Sequence, residues 1–115
     1  MGESYLAGSE YRDSSRKELI LREALASLKG RRWHICLKND EITVLVETEI
    51  EVLEVNRREN RIETGHLTLD DVYFELVNDV GLKLFFPLVQ FREAEIFSSS
   101  LNICFDTFYW SFYAL

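Results

Sequence analysis

The spacing of apolar residues changes at Gly30, and this change confines the chain to one helix followed by strands. Before it, Leu21, Ala24, Leu25 and Leu28 recur at helical intervals and make one apolar face. After it, Trp33, Ile35 and Leu37 alternate with His34 and Lys38, the period of a half-buried strand. Ser15 followed by Glu18 has the form of a capping box. Lys29 favours the negative end of the helix dipole, and Gly30 takes the left-handed stop conformation. These signals predict a helix over 16–29.

The alternation continues through Ile42, Val44, Val46, Thr48, Ile50 and Val52, with Thr43, Leu45, Glu47, Glu49 and Glu51 on the other side. It slips at Leu53-Glu54 and returns Val55 inward, which predicts a bulge that bends the strand. Lys38 to Glu41 reads as a turn, and Asn56 to Asn60 as a polar turn. Arg61 to Leu69, with Gly65 inside it, and Val72 to Val77 read as further strands. Asn78 to Gly81 is a turn with positive φ at the glycine, and Leu82, Leu84 and Phe86 follow on one face. Pro87 ends or edges that strand, and Glu93 to Phe97 is a short strand.

Three segments result: a flexible arm over 1–14, a helix plus small β-barrel over 15–97, and an aromatic extension over 98–115 that packs on the barrel or on a partner. Tyr5, Leu6 and Tyr11 are the residues that pin the arm. In the extension, Leu101, Ile103, Phe105 and Thr107 fit a strand, while Leu101, Phe105, Phe108, Tyr109 and Phe112 fit a helix. Its β-branched and aromatic content tips the reading towards strand. The fold class is α+β and mostly antiparallel β, an N-terminal helix followed by a bent sheet or small barrel of about five or six strands.

The helix end at Leu21–Gly30, the Trp33–Leu37 strand, the bulged Ile42–Val55 strand and Phe86-Pro87-Leu88-Val89 ahead of Glu93–Phe97 together resemble the Sm-like and SH3-like small barrels. More faintly, they resemble the bacterial YolD-like proteins. The resemblance covers residues 16–97 and lies in element order and apolar spacing. The short RNA-contacting motif of the Sm family is absent, and so is the glycine often found in its second strand. The resemblance therefore implies a barrel more than RNA binding.

Composition sets limits on function. With 115 residues, 47% hydrophobic and 29% charged, the chain fits one domain with a packed core. The net charge of -7 repels phosphate at long range and disfavours a general nucleic-acid binder. Met1 to Glu10 holds no apolar run, so export is not indicated, and no stretch has the length of a membrane span. Cys36 and Cys104 read as buried free thiols of a reducing, cytoplasmic setting.

No residue pattern names a reaction. His34 and His66 lack Cys or His partners at metal-ligand spacing, so no metal or cofactor is expected. Asp70 and Asp71 are adjacent, face opposite ways on a strand and make a poor acid/base pair. Glu47, Glu49 and Glu51 form an acidic ladder with Glu54 beyond it. This is either the solvated side of a strand or a docking face for a basic partner or weak cation. Arg57, Arg58 and Arg61 cluster at the expected turn, where guanidiniums grip phosphate and Tyr73 and Phe74 offer stacking faces, with Glu54, Glu59 and Glu63 nearby to neutralise them. Phe105, Phe108, Tyr109, Trp110, Phe112 and Tyr113 either complete the core or anchor a second copy or another protein.

The sequence thus predicts a non-enzymatic binding or regulatory module that acts through protein contacts, self-associates through its tail or a strand edge, and does not engage a membrane. The second reading is a small-barrel nucleic-acid binder using Arg57, Arg58 and Arg61. A third, a hydrolase-like or ligand-binding barrel, has no residues to carry it.

Overall fold

Helix α1 spans Ser9–Ala26 in the computed structural model, which describes residues 9–41, 43–64 and 67–115, with side chains over 15–41, 43–59 and 72–115. It starts ahead of Ser15, so the Ser15–Glu18 pair lies within the helix and does not begin it. The reason is local: no glycine or proline occurs from Ser9 to Lys29, so nothing stops the helix upstream. At the other end Leu28 N–H and Lys29 N–H bond the carbonyls of Leu25 and Ala26, a tightened last turn, and Gly30 has φ +84° as its stop position requires. The Trp33 indole donates to the Leu28 carbonyl at 2.8 Å, satisfying an orphan acceptor at the helix end.

The strands are β1 (Arg32–Asn39), β2 (Val44–Thr64), β3 (Leu67–Asn78), β4 (Leu84–Pro87), β5 (Phe91–Ile96), β6 (Ser100–Phe105) and β7 (Phe108–Ala114). They form a seven-stranded antiparallel sheet in the order β4-β3-β2-β1-β7-β6-β5. The sheet therefore has more strands than the sequence indicated, because the aromatic tail contributes two, joined at Asp106-Thr107.

A second difference concerns Asn56 to Asn60. These residues are not a turn; β2 runs straight through them, paired from Asn56↔Glu75 to Asn60↔Asp71. The expectations for Met1 to Gly8 (Tyr5 and Leu6 included), Ile42, Gly65 and His66, and for the side chains of Tyr11, Arg61, Asp70 and Asp71, lie outside the described residues.

The expected bulge is present, between Val52 and Glu54. It reverses the phase of β2. Ile50 and Val52 are buried before it, and Val55 packs on the core after it. Glu47, Glu49 and Glu51 pair with Cys36, His34 and Arg32, and the bulge keeps Glu54 on that same outer side. Two turns use side-chain amides. Asn39 Oδ1 accepts from the N–H of Glu41 and Thr43, and Asn78 Oδ1 from that of Val80 and Leu82. Gly81 sits at φ +74°, where a Cβ is strained.

The sheet curls on itself. Its two edges, β4 and β5, are joined by the short 3₁₀ turn Leu88–Gln90, which holds them close together. From β4 the Phe86 ring reaches across to Phe105, Trp110 and Phe112, with centroids 6.1, 5.6 and 6.4 Å away. The seam between the edges is covered by α1, whose buried Leu21, Ala24, Leu25 and Leu28 join the core and which packs on β5 and the 3₁₀ turn. Pro87 ends edge strand β4, the place a residue without an N–H is tolerated.

Candidate functional site

One side of the curled sheet remains solvent-facing and carries an ordered set of polar and aromatic groups. Alternation along β7 turns Trp110 and Phe112 inward and leaves Tyr109, Ser111 and Tyr113 on the outer side. The register then aligns three rows across the strands. Glu49, His34, Tyr113 and Ser100 form the first, and Glu47, Cys36, Ser111, Asn102 and Glu95 the second. Lys38, Tyr109, Cys104 and Glu93 form the third.

The middle row is made of small side chains between larger ones. Cys36 and Ser111 are only 6% and 5% exposed although they lie on the outer side, because Tyr109, Tyr113, His34 and Lys38 flank them. Tyr113, by contrast, is 48% exposed. His34 Nε2 lies 2.8 Å from Glu47 Oε2, and the His34 ring leans towards Tyr113 at 6.5 Å between centroids. The result is a buried floor with aromatic flanks, bordered by Glu47 and Glu49 on β2 and by Glu93 and Glu95 on β5.

The field of that border reaches Cys104. Burial raises its thiol pKa above the ordinary cysteine range, and the charges of Glu93 and Glu95 raise it further. The shift favours the protonated thiol over the thiolate. Both cysteines are free. They stand on the same side but on strands separated by β7, two strand spacings across and two residues along, about 12 Å apart and beyond disulfide reach.

The tail aromatics divide between core and surface. Phe105, Trp110 and Phe112 are buried, and Phe108 is half-buried, stacked on Phe105 at 4.9 Å between centroids. These four are core residues and not the interface anchor the sequence offered as one alternative; β7 lies inside the sheet between β1 and β6, where its inner side faces the core. Tyr109 and Tyr113 alone of the six belong to the outer side.

The arginines do not form one basic patch. Arg57 is paired with Phe74 and so lies on the concave side, where its guanidinium holds Glu18 of α1 at 2.9 and 3.2 Å and Glu59 at 3.3 Å. The hydrogen bond to Glu18 is the main reason its pKa is raised. Arg58 points the opposite way and meets Glu75 at 3.3 Å. Arg61 is opposite Asp70 in the register. Two guanidiniums on opposite sides of a strand, each already beside a carboxylate, make no phosphate clamp, and their place at a hairpin tip is corrected to mid-strand.

Among the described residues no group of His, Cys, Asp and Glu is arranged to hold a metal, and no helix is long and apolar enough to cross a membrane. No protein-family model, curated protein or solved structure matches the chain. The sequence singles out the acidic ladder but not Glu93, Glu95, Asn102 and Ser111 as its counterparts. The available signal was the polar alternation Asn102, Cys104 and Tyr109, Ser111, Tyr113 inside an otherwise apolar tail.

Proposed function

We propose that this chain is a non-catalytic protein-binding module whose outer sheet face takes a basic, extended segment of a partner. The observation that carries this reading is the placement of Tyr109 and Tyr113 over the Cys36–Ser111 floor, with carboxylates at both ends. A lysine or arginine gains from a tyrosine ring face and from a carboxylate border together. From β2 to β5 there are four strand spacings, about 19 Å, which an extended segment crosses in about six residues. The partner is thus expected to carry basic side chains about six residues apart.

The helix followed by a curled antiparallel sheet supports the likeness to Sm-like and SH3-like small barrels. The free thiols of Cys36 and Cys104 support a reducing, cytoplasmic setting.

Calorimetric titration with an extended peptide bearing arginines about six residues apart tests the site. Binding that weakens with salt is expected, together with a loss of at least about tenfold in Glu47→Lys/Glu93→Lys and in Tyr113→Ala. Absence of binding at low ionic strength, or unchanged affinity in the charge-reversed variant, overturns the reading.

A further inference from the structure

The β2–β3 hairpin is longer than the sheet that supports it. β1 pairs with β2 only as far as Glu51, and β4 with β3 only from Tyr73 to Leu76. Beyond those limits β2 and β3 pair with each other alone, from Glu59↔Val72 to Thr64↔Leu67. This is a two-stranded ribbon about 20 Å long, with unpaired backbone along both edges among the described residues. Such a ribbon is marginal by itself, and each edge is a template for another strand.

The edges differ in what they accept. A two-fold antiparallel pairing always sets one residue opposite itself. On β3, centring on Asp70 or Asp71 sets a carboxylate against its own copy, and those two registers repel a second chain. On β2 the run Asn56-Arg57-Arg58-Glu59-Asn60-Arg61-Ile62-Glu63-Thr64 is charge-complementary about Asn60 at its alternate positions Arg57, Glu59, Arg61 and Glu63, while Arg58 corresponds to the uncharged Ile62. With Asn60 opposite Asn60, Arg57 falls opposite Glu63 and Glu59 opposite Arg61, then the same two pairs again in reverse. A shift of one residue either way sets Glu59 against Glu59 or Arg61 against Arg61. The Asn60-centred run also fits the space, since it lies between the bulge at Leu53 and the strand end at Thr64.

We infer that the chain forms a two-fold dimer by antiparallel pairing of the β2 edges, centred on Asn60, so that two ribbons merge into one four-stranded ribbon between the curled sheets. The partner is a second copy of this chain, selected by the alternating charges. The outer face discussed above is not used, so this assembly stands or falls apart from the basic-segment reading.

Light scattering and sedimentation of the full chain test the assembly. A dimer is expected, and its dissociation constant is expected to rise at least about tenfold in Glu59→Arg/Glu63→Arg, where every facing charge becomes positive. A far-ultraviolet spectrum and melting curve establish that this variant is folded. Independently, Asn60→Cys places two thiols opposite each other, about 4.5–5.5 Å between Cα atoms, and oxidised glutathione is expected to link that variant as a dimer but not Arg58→Cys. A monomeric wild type, or a dimer in which the Asn60→Cys variant does not link, overturns the inference. Should the doubly charged variant fail to fold, the cross-linking result decides alone.

Discussion

Asp79 shows how one side chain fastens two parts of the fold. It sits in the turn after β3, where its carboxylate accepts from the Glu51 N–H at 2.8 Å and from Arg32 at 2.8 Å, while its own N–H bonds the Glu51 carbonyl. These contacts tie the β3–β4 turn to β2 and β1. The bond from the Glu51 backbone, then that from Arg32, holds the Asp79 pKa below the usual aspartate value. A depressed carboxylate contributes stability that is present above the unfolded value, about 3.9, and lost as the pH falls through the folded one. Wild type is therefore expected to lose urea resistance as the pH drops below about 4, and Asp79→Asn to start lower at about pH 7 and lose less over the same window. Urea midpoints at the two pH values check this, and equal acid losses in both proteins would remove the assignment. Sequence alone placed Asp79 in a turn but gave no sign of this role, since its partners Arg32 and Glu51 are distant in the chain.

At the level of elements, legibility followed the core. On β1 and β2, where one side is buried, alternation announces it: Trp33 and Ile35 on β1, Ile50 and Val52 on β2, and even the slip at Leu53. Past Val55 the inward positions of β2 are taken by Arg57 and Glu59, so no apolar face is left to alternate, and Asn56 to Asn60 imitates a turn by composition. Helix α1 was misplaced at its start for a related reason, because its polar first half carries no apolar face to count. The bulge is the element on which both halves of β2 depend. Exchanging the two residues that follow it (Glu54→Val/Val55→Glu) extends the alternation that runs up to Val52 and so, with the bulge in place, sets a carboxylate inward and an apolar residue outward. A loss of about 2–4 kcal/mol is expected from burying a carboxylate and exposing core positions. Leu53→Ala keeps the extra residue and, at an exposed position, is expected to cost less than about 1 kcal/mol. Denaturant unfolding of both variants measures the contrast, and similar losses would mean that the phase change is not what β2 requires.

For the whole molecule, the decisive fact is that the last strand in sequence is an interior strand in space. β7 joins β1 to β6, so the meander β1–β4 and the meander β5–β7 become one sheet only through the final residues of the chain. The sequence reading treated these residues as an extension because Ser98, Ser99 and Ser100 resemble a boundary. In fact Ser98 and Ser99 turn β5 into β6, and the Ala114 N–H bonds back to the Ser99 carbonyl. Two kinds of protein are thereby distinguished. In a barrel with an attached aromatic tail, removing the tail leaves a folded, more soluble domain. In the arrangement found here, removing Phe108–Leu115 takes Trp110 and Phe112 from the core, strips one side of Phe86 and opens the backbone of both β1 and β6. Each buried aromatic lost costs about 3–5 kcal/mol, and the pair alone approaches the total stability of an ordinary domain, about 5–15 kcal/mol. The truncated chain is therefore expected to lack a cooperative melting transition and to expose apolar surface to a hydrophobic dye, whereas Tyr109→Ala and Tyr113→Ala, which change only the outer side, are expected to melt cooperatively. A truncated chain that melts as sharply as wild type would return the tail to the role of an appendage, and would separate β5 and β6 from the rest of the fold.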